Sequence, residues 1–325
     1  AMLPLDRKDW RAYAAGAAVI WAGVKLWRRR FIVSSHRVVM VTGCDSGFGK
    51  HLVKLLCQGG SKVFATCLTS QGVEDFQGEP LVTAVQCDIT QQEQVDALPG
   101  QLRQAFPEVE REGLWGLVNN AGIIQGGLAE FTTMDVFRKV TEVNVFGHVA
   151  ITKAMLPWVQ AARGRLVFVA SIAGRIPVPG GSAYAISKFG IEGFAQSLRL
   201  EMLMWGVKVS VIEPSFYNTP FIDPEALANN FRHNWSRVPE ETRAKYGGDT
   251  YLDKQLKQLN RMLLVASNDL GQVPRAMYHA LFCVSPKQHY LCGWTAYVLA
   301  FCSHLPSWVA DIGWRVIGDV HPVTR

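Results

Sequence analysis

A chain of 325 residues that is 49% hydrophobic and 18% charged can bury a large core, which excludes a disordered chain. Its 33 Lys and Arg against 27 Asp and Glu leave a net charge of +6, with no basic stripe interleaved with aromatics, so nucleic-acid binding is not expected. The seven cysteines (44, 57, 67, 87, 283, 292, 302) show neither a CxxC pair nor ligand spacing with histidine; they read as buried, reduced thiols, with no metal site.

Between Arg11 and Lys25 lie thirteen uncharged residues, flanked by Trp10, Trp21 and Trp27 and closed by Arg28, Arg29 and Arg30. Spanning a bilayer takes ~20 apolar residues, and snorkelling of Lys25 and Arg28 stretches a shorter run. Residues 1–34 therefore read as a membrane anchor, with a surface helix or targeting peptide as the other readings. The basic cluster after the run places the following domain on the cytosolic side. A glycan on the sequon at Asn234 would place it in the lumen.

From Arg37 onward β-branched runs alternate with helical spacing. Strands are expected at 37–43, 62–68, 81–88, 114–122, 164–171 and 207–214, with amphipathic segments between them. Nearly continuous apolar strands separated by helices imply an α/β fold, a doubly wound parallel sheet of Rossmann type in one catalytic domain, 35–325. Such sheets bind ligands outside the carboxyl ends of their strands.

The first strand runs into "TGCDSGFGK", with Gly43, Gly47 and Gly49 ahead of a helix. Glycine lets backbone approach a pyrophosphate, and a helix N-terminus offers free N–H groups to it. Asp88, closing the third strand, is placed to bind an adenine amino group or to cap the segment after Thr90. "NNAG" (119–122) ends the fourth strand with two amides at the same edge. Asn144 is a polar residue in an apolar helical stretch, obliged to find partners if buried.

Ser171 closes the fifth strand, and Tyr184 and Lys188 follow, four apart. On one helix face they touch. A free phenol titrates near about 10, and an adjacent ammonium favours the phenolate. Lowering it by about 3 units takes roughly 4 kcal/mol, which makes Tyr184 a usable proton acceptor while Ser171 holds the substrate oxygen and a nicotinamide takes the hydride.

Residues 215–268 form a polar, aromatic insertion that would lie over the ligand crevice as a substrate lobe. The tail, 288–318, carries Trp294, Tyr297, Phe301 and Trp308, and Gln288 to Ala310 contains no Asp, Glu, Lys or Arg. A strand followed by a hydrophobic flap, or a membrane-facing surface, suits it, because Pro306 interrupts a plain helix.

With "TGCDSGFG", "NNAG", Asn144, Ser171 and "YAISK" in this order, residues 37 to about 285 resemble the short-chain dehydrogenase/reductase family. In detail they are similar to its membrane-associated branch of retinol dehydrogenases, oxidative 17β- and 11β-hydroxysteroid dehydrogenases and mitochondrial D-3-hydroxybutyrate dehydrogenase. The resemblance implies a tetrad of Asn144, Ser171, Tyr184 and Lys188, with Asn144 holding a relay water. It implies a cofactor site of Gly43, Asp45, Ser46, Gly47, Phe48, Gly49, Asp88, Ile89, Asn120, Ala121, Gly122, Tyr184, Lys188, Pro214 and Thr219. It also implies a homo-oligomer, dimer or tetramer. The chain departs from the family where Ser215, in place of Gly, follows Pro214.

NAD is the expected cofactor. Asp45 and Ser46 stand where NADP enzymes of the family tend to place a cation, and Thr66 and Cys67 end the second strand without a basic residue. The loop between Ser171 and Tyr184 is apolar except for Arg175, so a lipophilic alcohol, steroid or retinoid, is expected to meet Ser171, Arg175, Tyr184 and Phe216. D-3-hydroxybutyrate is the alternative; it requires a cation, for which Arg175, Arg232, His233 and Lys245 are candidates. A catalytically idle NAD-binding scaffold is the remote one. The expected location is the endoplasmic reticulum membrane, with a mitochondrial membrane as alternative.

Overall fold

The computed structural model describes Gly23 and residues 30–218, 224–264 and 266–317. Seven strands form one sheet: β1 (Val38–Thr42), β2 (Lys62–Cys67), β3 (Val82–Gln86), β4 (Gly116–Asn119), β5 (Arg165–Val169), β6 (Lys208–Pro214) and β7 (His289–Cys292). Their order is β3-β2-β1-β4-β5-β6-β7, every pair parallel. The chain starts at the centre, winds out to β3, and returns through β4 to the other edge. That reversal opens a crevice at the carboxyl ends of β1 and β4.

The principal helices are α1 (Gly47–Gln58), α2 (Gln92–Ala105), α3 (Met134–Thr141), α4 (His148–Ala161), α5 (Ser182–Glu201), α6 (Pro224–Ser236), α7 (Asp249–Leu264), α8 (Gln272–Phe282), α9 (Trp294–Cys302) and α10 (Ser307–Ile317). Their apolar stripes cover both faces of the sheet. Leu98 and Leu102 of α2, Ile151 and Met155 of α4, and Ile191 of α5 pack on one face. Leu52 and Leu56 of α1 and Met277 and Leu281 of α8 pack on the other. Buried on both sides, strands such as VVMVT in β1 are apolar at nearly every position, which is why the expected strands coincide with the observed ones to within a few residues.

The insertion is closed at its neck, where Ser267 N donates to the Phe216 carbonyl at 2.9 Å and Asn218 N to the Ser267 carbonyl at 3.1 Å. From there α6 and α7 extend over the crevice. The tail matches the expected strand and flap: β7 joins the sheet edge and α9 follows, with Pro306 in the turn before α10. Cys44, Cys67, Cys87, Cys283 and Cys292 are buried, and Cys57 and Cys302 are partly so. The N-terminal apolar run lies almost wholly outside the described residues. Among those, no helix is long and apolar enough to cross a membrane.

Candidate active site

The glycine loop and the NNAG turn are built as one unit. Asn120 Nδ2 donates to the carbonyls of Thr42 and Gly43, at 2.9 and 3.0 Å. Gly49 fits where no side chain would: a Cβ there lies 2.3 Å from the Gly43 oxygen and 2.7 Å from Asn120 Nδ2. The loop thereby closes tightly and aims the first turn of α1 at the cavity through Ser46, Gly47 and Phe48. Asp45 folds back onto the residues after β2, accepting from Leu68 N at 2.8 Å, Thr69 N at 2.9 Å and Thr69 Oγ1 at 2.7 Å. Asp88 lines the cavity, and its carboxylate accepts from Thr90 N and Oγ1 in a local turn, so it is not the cap of α2.

Asn144 sits, fully buried, in a π-helical turn, Glu142–Gly147, between α3 and α4. The widened turn brings its amide to the backbone beyond NNAG: Oδ1 accepts from Ile123 N at 2.8 Å, and Nδ2 donates to the Ile123 carbonyl at 2.9 Å and to Ser187 Oγ at 3.0 Å. One turn later His148, equally buried, is 2.6 Å from the Ala121 carbonyl through Nε2. The desolvated imidazole is pushed down to about 3 and is neutral.

Tyr184 and Lys188 stand on α5 as the spacing predicts, with Nζ 5.4 Å from the phenol ring centroid. Ser171 hydrogen-bonds Tyr184, and when its single hydroxyl proton is not engaged there it donates to the Pro214 carbonyl at 3.3 Å. Lys188 is almost fully buried and donates to the Val169 carbonyl at 3.0 Å. Electrostatics corrects the expectation of a lowered phenol. In the protein alone, burial pushes Tyr184 up to about 12, with the Ser171 hydrogen bond opposing it, and pushes Lys188 down to about 8. Desolvation penalises both charged forms.

These groups open on a cavity of about 1140 Å³. Its lining includes the expected Gly43, Asp45, Ser46, Gly47, Phe48, Asp88, Ile89, Asn120, Ala121, Gly122, Ser171, Tyr184, Lys188, Pro214 and Phe216. Gly49 and Asn144 act from behind that surface, and Thr219 lies outside the described residues. Arg175 is the clear correction: it does not line the cavity but forms a bidentate pair with Glu213, Nε to Oε1 at 2.5 Å and Nη2 to Oε2 at 3.0 Å. Arg232, His233 and Lys245 do not line it either; Arg232 donates to Asn229 and Lys245 pairs with Glu241. Among the described residues, the cations that do line it besides Lys188 are Lys139 and Arg261. Asn234 lies within α6 and donates to the Gly126 carbonyl at 3.2 Å.

Ser215, the departure from the family pattern, is accommodated across the sheet edge. Its backbone N donates to the Cys292 carbonyl at 3.0 Å, and Gly293 (φ +91°) lacks the Cβ that would meet Ser215 Oγ at 2.3 Å. Sequence reasoning missed Leu68, Thr69, Leu227, Phe231, Val298 and Leu299 as cavity walls. For the last four, the aromatic character of the insertion and the uncharged character of the tail were the signal.

The family described as short chain dehydrogenase matches residues 37–229. Retinol dehydrogenase 5 from Homo sapiens is 39% identical over 304 residues, covering 90% of this chain and 93% of the relative. Retinol dehydrogenase 16 from Rattus norvegicus is 38% identical over 306 residues, covering 92% and 95%. Among solved structures, a short chain dehydrogenase/reductase from Burkholderia phymatum in complex with NAD superposes with a TM-score of 0.67 at 20% identity, covering 90% of this chain and 98% of that one.

Proposed function

The chain belongs to the short chain dehydrogenase family, whose NAD(P)-dependent alcohol oxidoreduction it shares, and from that premise we propose that it oxidises a lipophilic alcohol, retinoid or steroid, to the carbonyl with NAD. The observation that carries the reading is Tyr184, hydrogen-bonded to Ser171 and facing Lys188, at one end of a cavity whose other end is the glycine loop and the start of α1.

Bound NAD supplies the hydride acceptor. The loop that Gly49 closes, together with the N-terminus of α1, would hold its pyrophosphate. Ser171 and Tyr184 hold the alcohol oxygen, and Tyr184 takes its proton. Lys188, fixed by the Val169 carbonyl, offers the positive charge that makes the phenolate accessible. Asn144 fixes the wall at Ile123 that faces this chemistry.

Asp45 supports NAD over NADP. Its carboxylate is held beside Leu68 and Thr69, where it repels a 2′-phosphate, and Lys50 on α1 is already paired with Asp75 at 2.5 Å. A cavity of about 1140 Å³ exceeds the roughly 300–1,000 Å³ of a typical single-ligand pocket, leaving room for a bulky alcohol beside a dinucleotide. Ile172, Ile176, Val178, Leu227 and Phe231 make its substrate end apolar.

Association with the endoplasmic reticulum membrane is part of the same reading. On α9 the large side chains point outward, Trp294, Tyr297, Val298 and Phe301 being exposed at i, i+3, i+4 and i+7, while Ala296 and Ala300 pack inward. An uncharged face of this kind suits the bilayer interface, and Trp294 and Val298 also line the cavity. Exposed Phe146, Ile186 and Phe189 support a homo-oligomer, dimer or tetramer.

The test is NADH fluorescence from the protein in phospholipid, with NAD or NADP, against retinol, estradiol, corticosterone and D-3-hydroxybutyrate. Turnover of a retinoid or steroid with NAD is expected. Turnover of hydroxybutyrate alone would replace the reading with one in which Arg261 or Lys139 receives a carboxylate.

A further inference from the structure

Behind the cavity, and outside its lining, four ionisable side chains from four segments meet. Glu213 on β6 is fully buried and takes both donors of the Arg175 pair. His289 on β7 lies 3.3 Å from Glu213 Oε1 through Nδ1, and its Nε2 lies 2.5 Å from Gln196 Nε2. Arg199 Nε donates to Oε1 of that same amide, at 3.3 Å, so its nitrogen is the end that faces the imidazole. An amide nitrogen only donates; Nε2 of His289 is therefore the acceptor, and a neutral ring carries its proton on Nδ1, toward Glu213.

Glu192 on α5 completes the group, with ligand atoms of Glu192, Glu213 and His289 all within 4.8 Å of one another. It faces Glu213, Arg175, His289 and Lys188. Two carboxylates this close do not both ionise in a buried site. Burial and Glu213 push Glu192 up to about 9, so it keeps its proton and donates it to Glu213. Glu213 is held below the ordinary range despite its burial, by hydrogen bonds from His289, Arg175 and Glu192. Arg175 is then the full positive charge that balances the buried carboxylate.

Each member is attached to a part of the site. Arg175 is four residues beyond Ser171, and Glu213 directly precedes Pro214, whose carbonyl accepts the Ser171 hydroxyl. Between them, Gly174 lies so close on α5 that a Cβ would meet the Lys188 carbonyl at 2.9 Å and Glu192 Cγ at 3.0 Å. His289 opens the strand that leads into the α9 wall. None of the four lines the cavity.

The geometry points to Arg175, Glu213, Glu192 and His289 as a positioning network for the proposed alcohol oxidation: it fixes Ser171 against Pro214 and ties that turn to the helix of Tyr184 and Lys188 and to the strand leading into α9. It rests on the reading of Tyr184, Ser171 and Lys188 given above.

Two measurements test it. The first needs no substrate. A carboxylate in the unfolded chain titrates near about 4.3, and Glu192 in the folded one near about 9. The folded wild type therefore loses stability relative to Glu192→Gln as pH rises between those values, and the melting-temperature advantage of the variant should widen across that window. A difference that stays constant with pH overturns the shared proton and the network with it.

The second compares Arg175→Met and Arg175→Lys with wild type, with kcat counted per NADH-binding site. Arg175→Met should lose at least about tenfold in kcat with NADH affinity within about threefold of wild type, and Arg175→Lys should recover part of the loss. A merely structural role would lower the number of binding sites and leave kcat per site unchanged, which overturns positioning. If wild type oxidises no alcohol in the panel, the reading of the reaction fails, and the melting series alone decides the network.

Discussion

Replacing Lys188 by Met removes one charge from the site and keeps most of its volume. At the observed 5.4 Å from the Tyr184 ring, and an effective dielectric constant of about 20, a unit charge is worth about 3 kcal/mol. That corresponds to about two pH units in the phenol's titration. Without it, nothing offsets the burial that already pushes Tyr184 up to about 12 except the Ser171 hydrogen bond. The ionisation that governs alcohol oxidation should therefore move about two pH units to the alkaline side, and kcat near neutrality should fall on the order of 100-fold. Raising the pH should recover part of it. The variant also leaves the Val169 carbonyl unpartnered, at a cost of about 1–3 kcal/mol in stability, so rates belong on a per-site basis from NADH titration. A pH–rate profile that keeps its wild-type midpoint while kcat drops would refute electrostatic activation of Tyr184 and leave Lys188 only a cofactor-binding role.

Tyr184→Phe should lose about 10² to 10⁴ in kcat and retain NADH binding in a fluorescence titration; unchanged turnover sinks Tyr184 as proton acceptor. Asp45→Asn keeps an oxygen for Thr69 but not a second one for Leu68 N, and loses the charge, so the NADP-to-NAD ratio of kcat/KM should rise about fivefold, the scale of a partly exposed charge interaction near 1 kcal/mol. A ratio that does not move would show that Asp45 does not set cofactor choice. Gly49→Ala forces a methyl to 2.3 Å from the Gly43 oxygen, and overpacking of about 1–3 kcal/mol should weaken NADH binding by about tenfold or more. Wild-type affinity in that variant would mean the loop does not hold the pyrophosphate.

Local chemistry was legible before any coordinates. Tyr184 and Lys188 meet because a helix brings i and i+4 together, and the doubly wound sheet follows from apolar runs of strand length separated by helical spacing. The glycine loop, the NNAG turn and Ser171 also follow, since each lies at the carboxyl end of a strand that the sequence marks by itself. Asn144 was visible only as a buried amide in want of partners; the π-helical turn that delivers it to Ile123 has no sequence signature comparable to a glycine or a proline.

What the tertiary structure alone decided are relations between residues far apart in the chain. Arg175 looked like a free cation in an apolar loop until Glu213, 38 positions on, was found to hold it. Ser215 stood only as a departure from the family's pattern until Gly293, just past the end of the neighbouring strand, was seen to leave it room. The spacing of Tyr184 and Lys188 implies attraction between them, but the sign of the phenol's displacement depends on how much water burial removes from both. Desolvation and charge pairing are sums over contacts that the fold assembles from distant segments, so a one-dimensional pattern names the reacting groups and leaves their energies to the packed structure.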